Sequence, residues 1–264
     1  MLQSRASRPQ VVAHRGSSDA HAEHTLAAYR QAVLEGADAL ECDVRLTADG
    51  HLVCLHDRRV ERTSNGYGVV SSLELADLHD LDFASWKGID AEVPERDEET
   101  RRVLTLERLL DMVAATERRV EVAVETKHPT RYAGLVERRL VDLLKKYGWD
   151  GSSPNSPVRV MSYSMASLRR LHERSPGLPT VLLMDRVPLW LRDGSLPRGT
   201  RIAGISMRTV RAQPYLVSRL HDRGHQVHVF TVNAPEDVQT CRALAVEAII
   251  TDRPGYVRSL IRDE

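Results

Sequence analysis

Two histidines bracket two carboxylates near the amino terminus. His14 opens His14-Arg15-Gly16, Glu41 and Asp43 stand in Glu41-Cys42-Asp43-Val44, and His56 opens His56-Asp57. Imidazoles exchange protons near neutral pH. Carboxylates two positions apart on a strand share a face and suit a hard divalent cation. Glu125-Thr126-Lys127 repeats that spacing with one acid and one base. Glu41, Asp43 and Glu125 together make an all-oxygen donor set, which favours Mg2+ or Ca2+ over Zn2+. Arg15 can fork onto nonbridging phosphoryl oxygens, and Lys127 adds a point charge. His14 and His56 then divide the proton work, one taking a proton from the nucleophile and the other giving one to the leaving alkoxide. The chemistry these residues describe is metal-assisted attack on a phosphoester.

Such a set works only if the backbone gathers it. Short apolar runs recur between helical patterns: Gln10–Ala13, Ala37–Val44, Val120–Glu125, Val158–Tyr163, Thr180–Met184, Ile202–Met207, Gln226–Val232 and Ala248–Thr251. Thr25 to Gly36 reads as a helix with Leu26, Tyr29, Ala32 and Val33 on one face, capped by Thr25 and ended by Gly36. Further helical patterns run from Leu106 to Ala115, Arg131 to Tyr147, Pro214 to Arg223, and onward from Met165, Asn233 and Pro254. Alternating strands and helices imply a parallel sheet with right-handed crossovers. Eight such units in 264 residues fit a TIM (β/α)8 barrel in a single domain, 1–264. No Gly-x-Gly-x-x-Gly turn supports the open, doubly wound alternative. In a barrel the functional groups gather at the carboxyl ends of strands, where His14, Glu41, Asp43 and Glu125 all fall.

His56 needs its own route. Ala48-Asp49-Gly50 separates Arg45-Leu46-Thr47 from His51–Leu55, and Asp-Gly is a strong hairpin signal. A two-residue Asp49-Gly50 loop sets Asp43 opposite His56; an Ala48-Asp49 loop sets Glu41 there instead. In either register Cys42 and Cys54 point to opposite faces. After the hairpin, residues 58–105 form an insertion, read as a small cap over the barrel mouth. It carries Tyr67, Phe83, Trp86 and a solvated charge run at Glu92–Glu99. Val187-Pro188-Leu189-Trp190-Leu191, after the fifth strand, reads as a short helix packed on the barrel, with a lipid-facing segment as the alternative.

Composition bounds the partners. The formal net charge is zero, so no nucleic acid is expected. No apolar run approaches the roughly 18 residues that span a bilayer, so no integral membrane segment is expected. Three cysteines do not make a disulfide framework and read as packed, reduced thiols of a cytoplasmic protein.

In order along the chain, His14-Arg15-Gly16, Glu23-His24-Thr25, Glu41-Cys42-Asp43-Val44, Thr47-x-Asp49-Gly50, His56-Asp57, Glu125-Thr126-Lys127, Phe230-Thr231-Val232-Asn233 and Ile250-Thr251-Asp252-Arg253-Pro254 resemble the glycerophosphodiester phosphodiesterase pattern. The resemblance implies a barrel with an insertion after His56-Asp57. It also implies a divalent ion on Glu41, Asp43 and Glu125, and an acid–base pair of His14 and His56. The reaction it implies is hydrolysis of a glycerophosphodiester to glycerol phosphate and an alcohol. Its route has two steps, attack by the neighbouring glycerol hydroxyl to give a cyclic phosphate and opening of that ring by water. Three positions depart from the pattern: His24 stands where the family has Asn, Ala22 where it has Pro, and Phe230 where Trp is common. Related barrels act on lysolipids, so a lysophospholipase D-like activity with peripheral lipid contact is the alternative. A non-catalytic phosphodiester-binding protein on the same scaffold is the third reading.

Overall fold

A computed structural model describes residues 8–88 and 101–262; the Glu92–Glu99 charge run lies outside them. The strands are β1 (Gln10–His14), β2 (Ala39–Leu46), β3 (Leu52–Cys54), β4 (Glu121–Thr126), β5 (Val158–Ser162), β6 (Thr180–Met184), β7 (Ile202–Ser206), β8 (Gln226–Phe230) and β9 (Ala248–Thr251). All except β3 pair in parallel, in the order β1-β9-β8-β7-β6-β5-β4-β2, and β2 returns to β1 to close the ring. This is an eight-stranded TIM barrel, as the strand count predicts. Outside it stand α1 (Leu26–Leu34), α2 (Leu75–His79), α3 (Leu106–Ala114), α4 (Leu135–Lys146), α5 (Met165–Arg174), α6 (Met207–Ala212), α7 (Tyr215–Asp222), α8 (Pro235–Ala243) and α9 (Pro254–Arg262).

The two-residue strand period sorts side chains into two cores. Outward positions such as Val11, Leu40, Cys42, Val44, Val124 and Ile249 pack with the helices in the larger cluster. Inward positions stack in layers. At the floor, Arg159 donates to Glu121 at 2.8 Å and to Gln10 at 2.8 Å. Above it lies an apolar layer that includes Val12, Ala39, Ala123, Met161, Val181 and Ile250. Two residues further on, the same faces present His14, Glu41, Glu125, Tyr163, Leu183 and Asp252. The polar groups therefore sit at the barrel mouth because the strands carry them one repeat beyond an apolar plug.

Local signals set the ends of α1. Thr25 accepts from the Ala28 N–H at 3.2 Å, and Gly36, at φ 82°, follows the last turn. Gly16 has φ 88°, and a Cβ there would come within 2.7 Å of the Ala28 carbonyl carbon, so the Arg15-to-α1 turn demands glycine.

The hairpin departs from both predicted registers. Val44 faces Cys54, Arg45 faces Val53 and Leu46 faces Leu52. The loop therefore holds three residues, Ala48-Asp49-Gly50, with Gly50 at φ 89°. The Thr47 hydroxyl accepts from the His51 N–H at 2.9 Å and donates to Asp49 at 2.6 Å, which fixes this longer loop. One extra residue also reverses the cysteine parity. Cys54 lies opposite Val44 and thus on the Cys42 face, and all three cysteines are buried, free thiols.

Among the described residues no α-helix stands between β6 and β7; a single 3-10 turn, Leu189–Leu191, takes its place. Leu191 is buried, whereas Leu189 is 74% and Trp190 69% exposed. Within the insertion, Val60, Val70, Leu78 and Phe83 build a third small core with Val53 and Val103. No helix among the described residues is long and apolar enough to cross a membrane.

Candidate active site

A cavity of about 400 Å³ opens at the carboxyl ends of the strands, lined by His14, Arg15, Glu41, His56, Glu125 and Lys127 among others. These are six of the seven residues singled out in the sequence. Asp43, the seventh, is 1% exposed and is bound to two of the lining residues. A larger groove, about 820 Å³, lies outside the barrel against the hairpin tip, α3 and α4, and holds none of the seven.

Each histidine has its own carboxylate. His14 Nδ1 lies 2.6 Å from Asp252, and His56 Nδ1 lies 2.6 Å from Asp57. Asp252 in turn accepts from Asn233 at 2.7 Å and from Ser18 at 3.1 Å. Burial pushes the Asp252 carboxyl up, but the His14 bond and charge, with Asn233 and Ser18, bring it down to about 2. Asp57 is held by Arg62 at 2.5 Å, Arg62 reaches Glu23 at 2.7 Å, and Glu23 reaches Arg15 at 3.0 Å. One chain of charges thus runs from His56 through the insertion to Arg15. Burial, joined by the Arg15 and Lys127 charges, lowers the His56 imidazole despite the opposing pull of Asp43.

Glu41, Asp43 and Glu125 each place one oxygen so that all three lie within 4.8 Å of one another, and all three residues are buried. Around them, Arg15 Nε lies 3.0 Å from Asp43, and Lys127 Nζ lies 3.2 Å from Asp43 and 2.8 Å from Glu125. The Arg15 N–H donates to the Glu41 carboxylate at 3.1 Å. These cations are too few for three buried carboxylates. Burial pushes Asp43 up as well, but the His24 hydrogen bond and the nearby cations hold it well below the usual range. Glu41 is driven well above it, and Glu125 rises to about 8, chiefly by burial and then by the Asp43 charge. A divalent cation among the three would relieve that burial and repulsion, so the donor set fits a hard metal ion.

Sequence reasoning assigned no role to several residues that hold the site. Asp252 and Asn233 orient His14, and Asp57 orients His56. The signal for Asp252 was present: it continues the inward series Ala248, Ile250. Arg62 offered no such signal, because the site carboxylate it reaches toward Arg15, Glu23, lies in a distant stretch of the chain. The remaining histidines, left without a role, stand elsewhere; His128 lies 3.1 Å from Glu137 at the α4 side and His228 is buried in the barrel floor region.

The glycerophosphoryl diester phosphodiesterase family model matches residues 14–256. The chain belongs to this family. It is therefore an enzyme of the phosphodiester hydrolase class. A probable glycerophosphodiester phosphodiesterase 1 of Mycobacterium tuberculosis (strain ATCC 25618 / H37Rv) is 43% identical over 98% of this chain and 94% of its own. A glycerophosphodiester phosphodiesterase of Bacillus subtilis (strain 168) is 32% identical over 92% and 83%. Among solved structures, an Oleispira antarctica phosphodiesterase in complex with the product sn-glycerol-3-phosphate superposes with a TM-score of 0.82. It is 25% identical and covers 96% of this chain and 97% of that one.

The departures from the family pattern acquire physical content here. His24, in place of Asn, is fully enclosed: Nε2 lies 3.0 Å from Asp43 and Nδ1 2.8 Å from the Tyr29 hydroxyl. That hydroxyl also donates to the Glu41 carbonyl at 3.0 Å. His24 therefore braces the acidic strand at Asp43 directly and at Glu41 through Tyr29, and burial pushes its imidazole down. Arg15 and His24 both adopt left-handed backbone, φ 57° and 62°, a strain borne where two site residues must turn inward. Phe230, in place of Trp, meets Tyr163 edge to face at 6.2 Å and supplies an apolar wall.

Proposed function

We propose that the protein hydrolyses a glycerophosphodiester to glycerol phosphate and an alcohol, with His14 and His56 as the acid–base couple. The observation that carries the reading is the pairing of each imidazole with its own carboxylate at 2.6 Å, both lining one cavity with the carboxylate triad. An Nδ1 committed to a carboxylate leaves Nε2 for proton transfer. Mg2+ or Ca2+ bound by Glu41, Asp43 and Glu125 would supply Lewis-acid stabilisation of the phosphoryl oxygens. Lys127 and the free part of the Arg15 fork add positive charge beside the phosphate.

His56, lowered by burial, is neutral near pH 7 and suits the first base. It takes the proton of the glycerol hydroxyl next to the phosphoester as that oxygen attacks phosphorus. His14 gives a proton to the departing alkoxide, leaving a cyclic glycerol phosphate. Water then opens the ring, with His14 accepting the water proton and His56 returning its own to the ring oxygen. We infer too that the insertion caps the mouth. Arg62 reaches Glu23 there, and the Lys87 ammonium bonds the Ser18 carbonyl.

The test is hydrolysis of glycerophosphocholine with Mg2+, Ca2+ or excess chelator, in wild type, His14→Ala and His56→Ala. Activity should vanish with chelator and fall by at least about a hundredfold in either variant. Full activity in chelator rejects the metal role, and wild-type rates in both variants reject the couple. The exposure of Leu189 and Trp190 favours a second reading, a lysophospholipase D-like activity with peripheral lipid contact. Unchanged lysolipid hydrolysis in Trp190→Ser would remove its support.

A further inference from the structure

A second cavity, about 540 Å³, adjoins the catalytic one and shares Asp185 with it. Three arginines line it: Arg186 just beyond β6, Arg192 after the 3-10 turn, and Arg208 in the first turn of α6. All three are exposed, and among the described residues none of their guanidinium groups forms an ion pair or hydrogen bond. Their neighbours behave differently. Arg211, one turn on, is bound to Asp237 at 2.5 Å, and Arg223 to Asp193 at 2.6 Å. The cavity thus concentrates three uncompensated positive charges against the one carboxylate of Asp185. Its position is fixed, because the Thr209 hydroxyl donates to the Asp185 carbonyl at 2.7 Å and ties the ends of β6 and β7.

We infer that this cavity receives a phosphate monoester carried by the alcohol half of the substrate, so that diesters with a phosphorylated leaving group are preferred. The inference rests on the phosphodiesterase reading above. The glycerol arm is short, uncharged and common to every glycerophosphodiester. The alcohol arm is the part free to extend past the catalytic cavity, and the cavity that adjoins it at Asp185 is the one the three arginines line. Guanidinium groups without partners match phosphate geometry with forked donors.

The experiment compares glycerophosphoinositol with glycerophosphoinositol 4-phosphate, which differ only in that monoester. The phosphorylated diester should show kcat/KM at least about tenfold higher, a few-fold for each exposed charge contact, and the ratio should shrink with salt. In Arg186→Gln/Arg192→Gln/Arg208→Gln the ratio should fall to about one, with kcat/KM for glycerophosphoinositol unchanged. Equal rates on the two diesters in wild type, or an equal loss on both in the variant, overturns the inference and marks the arginines as solvated surface. Binding of myo-inositol 4-phosphate by calorimetry separates the two claims. If neither diester is hydrolysed, the phosphodiesterase reading fails, while phosphate-dependent binding lost in the variant still supports the pocket. Absence of binding in wild type overturns it.

Discussion

Replacing Asp252 by Asn tests the histidine assignment without altering shape. In the folded protein the Asp252 carboxyl stands at about 2 against an ordinary 3.8. The difference corresponds to about 2 kcal/mol of net stabilisation of the carboxylate by His14, Asn233 and Ser18 after burial is offset. The orientation of the substituted amide is dictated by its neighbours. The Asn233 amide donates to one Asp252 oxygen at 2.7 Å, so in Asp252→Asn the new side-chain carbonyl must stay on that side and its NH2 must face His14. An NH2 opposite Nδ1 demands a lone pair there and moves the imidazole proton to Nε2. The imidazole then loses both its counter-charge and its correct tautomer. The kcat should fall by at least about tenfold, the loss expected when a general acid–base imidazole is misoriented, with KM nearly unchanged. Steady-state hydrolysis of glycerophosphocholine at saturating metal measures it, alongside a melting curve to show that the fold survives. A kcat within threefold of wild type in a folded Asp252→Asn protein would refute the claim that Asp252 orients a reacting His14.

Three other outcomes follow from the same geometry. Glu137 is 0% exposed, and the His128 and Arg170 bonds lower it from 4.5 to about 2 against the upward push of burial. Its contribution, about 3 kcal/mol, is present above pH 4.5 and is lost as pH falls from 4.5 through 2, so urea midpoints should drop across that window and Glu137→Gln should flatten the drop. His24→Asn restores the residue typical of the family and should keep kcat within a few-fold, whereas His24→Ala removes a buried partner of Asp43 and should cost about 1–3 kcal/mol in stability, read by urea titration. Because His56 is lowered, the acid limb of kcat/KM should bend below pH 6.5, and a limb that bends above about 7 would count against His56 as the first base.

The barrel and its chemistry were legible for a simple reason: apolar runs and strand-end polar residues share one two-residue period. Reading Val12 then His14, Ala39 then Glu41, and Ala123 then Glu125 already separates plug from site. The hairpin register was not legible. Asp-Gly signals a turn but does not count its residues, and the Thr47 hydroxyl bonds that select three over two depend on side-chain geometry. That single residue moved Cys54 to the Cys42 face and left His56 beyond the paired stretch. There Arg45 holds it, donating to the His56 carbonyl at 2.7 Å and 2.9 Å. The absent helix after β6 was also hidden, since Leu189-Trp190-Leu191 is apolar enough for a buried helix but only Leu191 turns inward.

What the sequence could not supply is the division of labour around the mouth. Strand positions fix the carboxylate triad: the β2–β4 ladder sets Asp43 level with Glu125 and Glu41 one repeat below, level with Ala123. The histidines are held differently. Both owe their orientation to carboxylates just past a strand end, Asp252 after β9 and Asp57 beyond the hairpin, and these are steadied by Asn233 and Arg62 from other segments. A fold built this way can vary its rim without disturbing the acidic centre. The β6 and β7 ends show the same arrangement: Asp185 borders the catalytic cavity, while Arg186, Arg192 and Arg208 line only the cavity beside it. On the proposed reading, selectivity for the leaving group can change on that side while the proposed couple, His14 on β1 and His56 after β3, stays as it is.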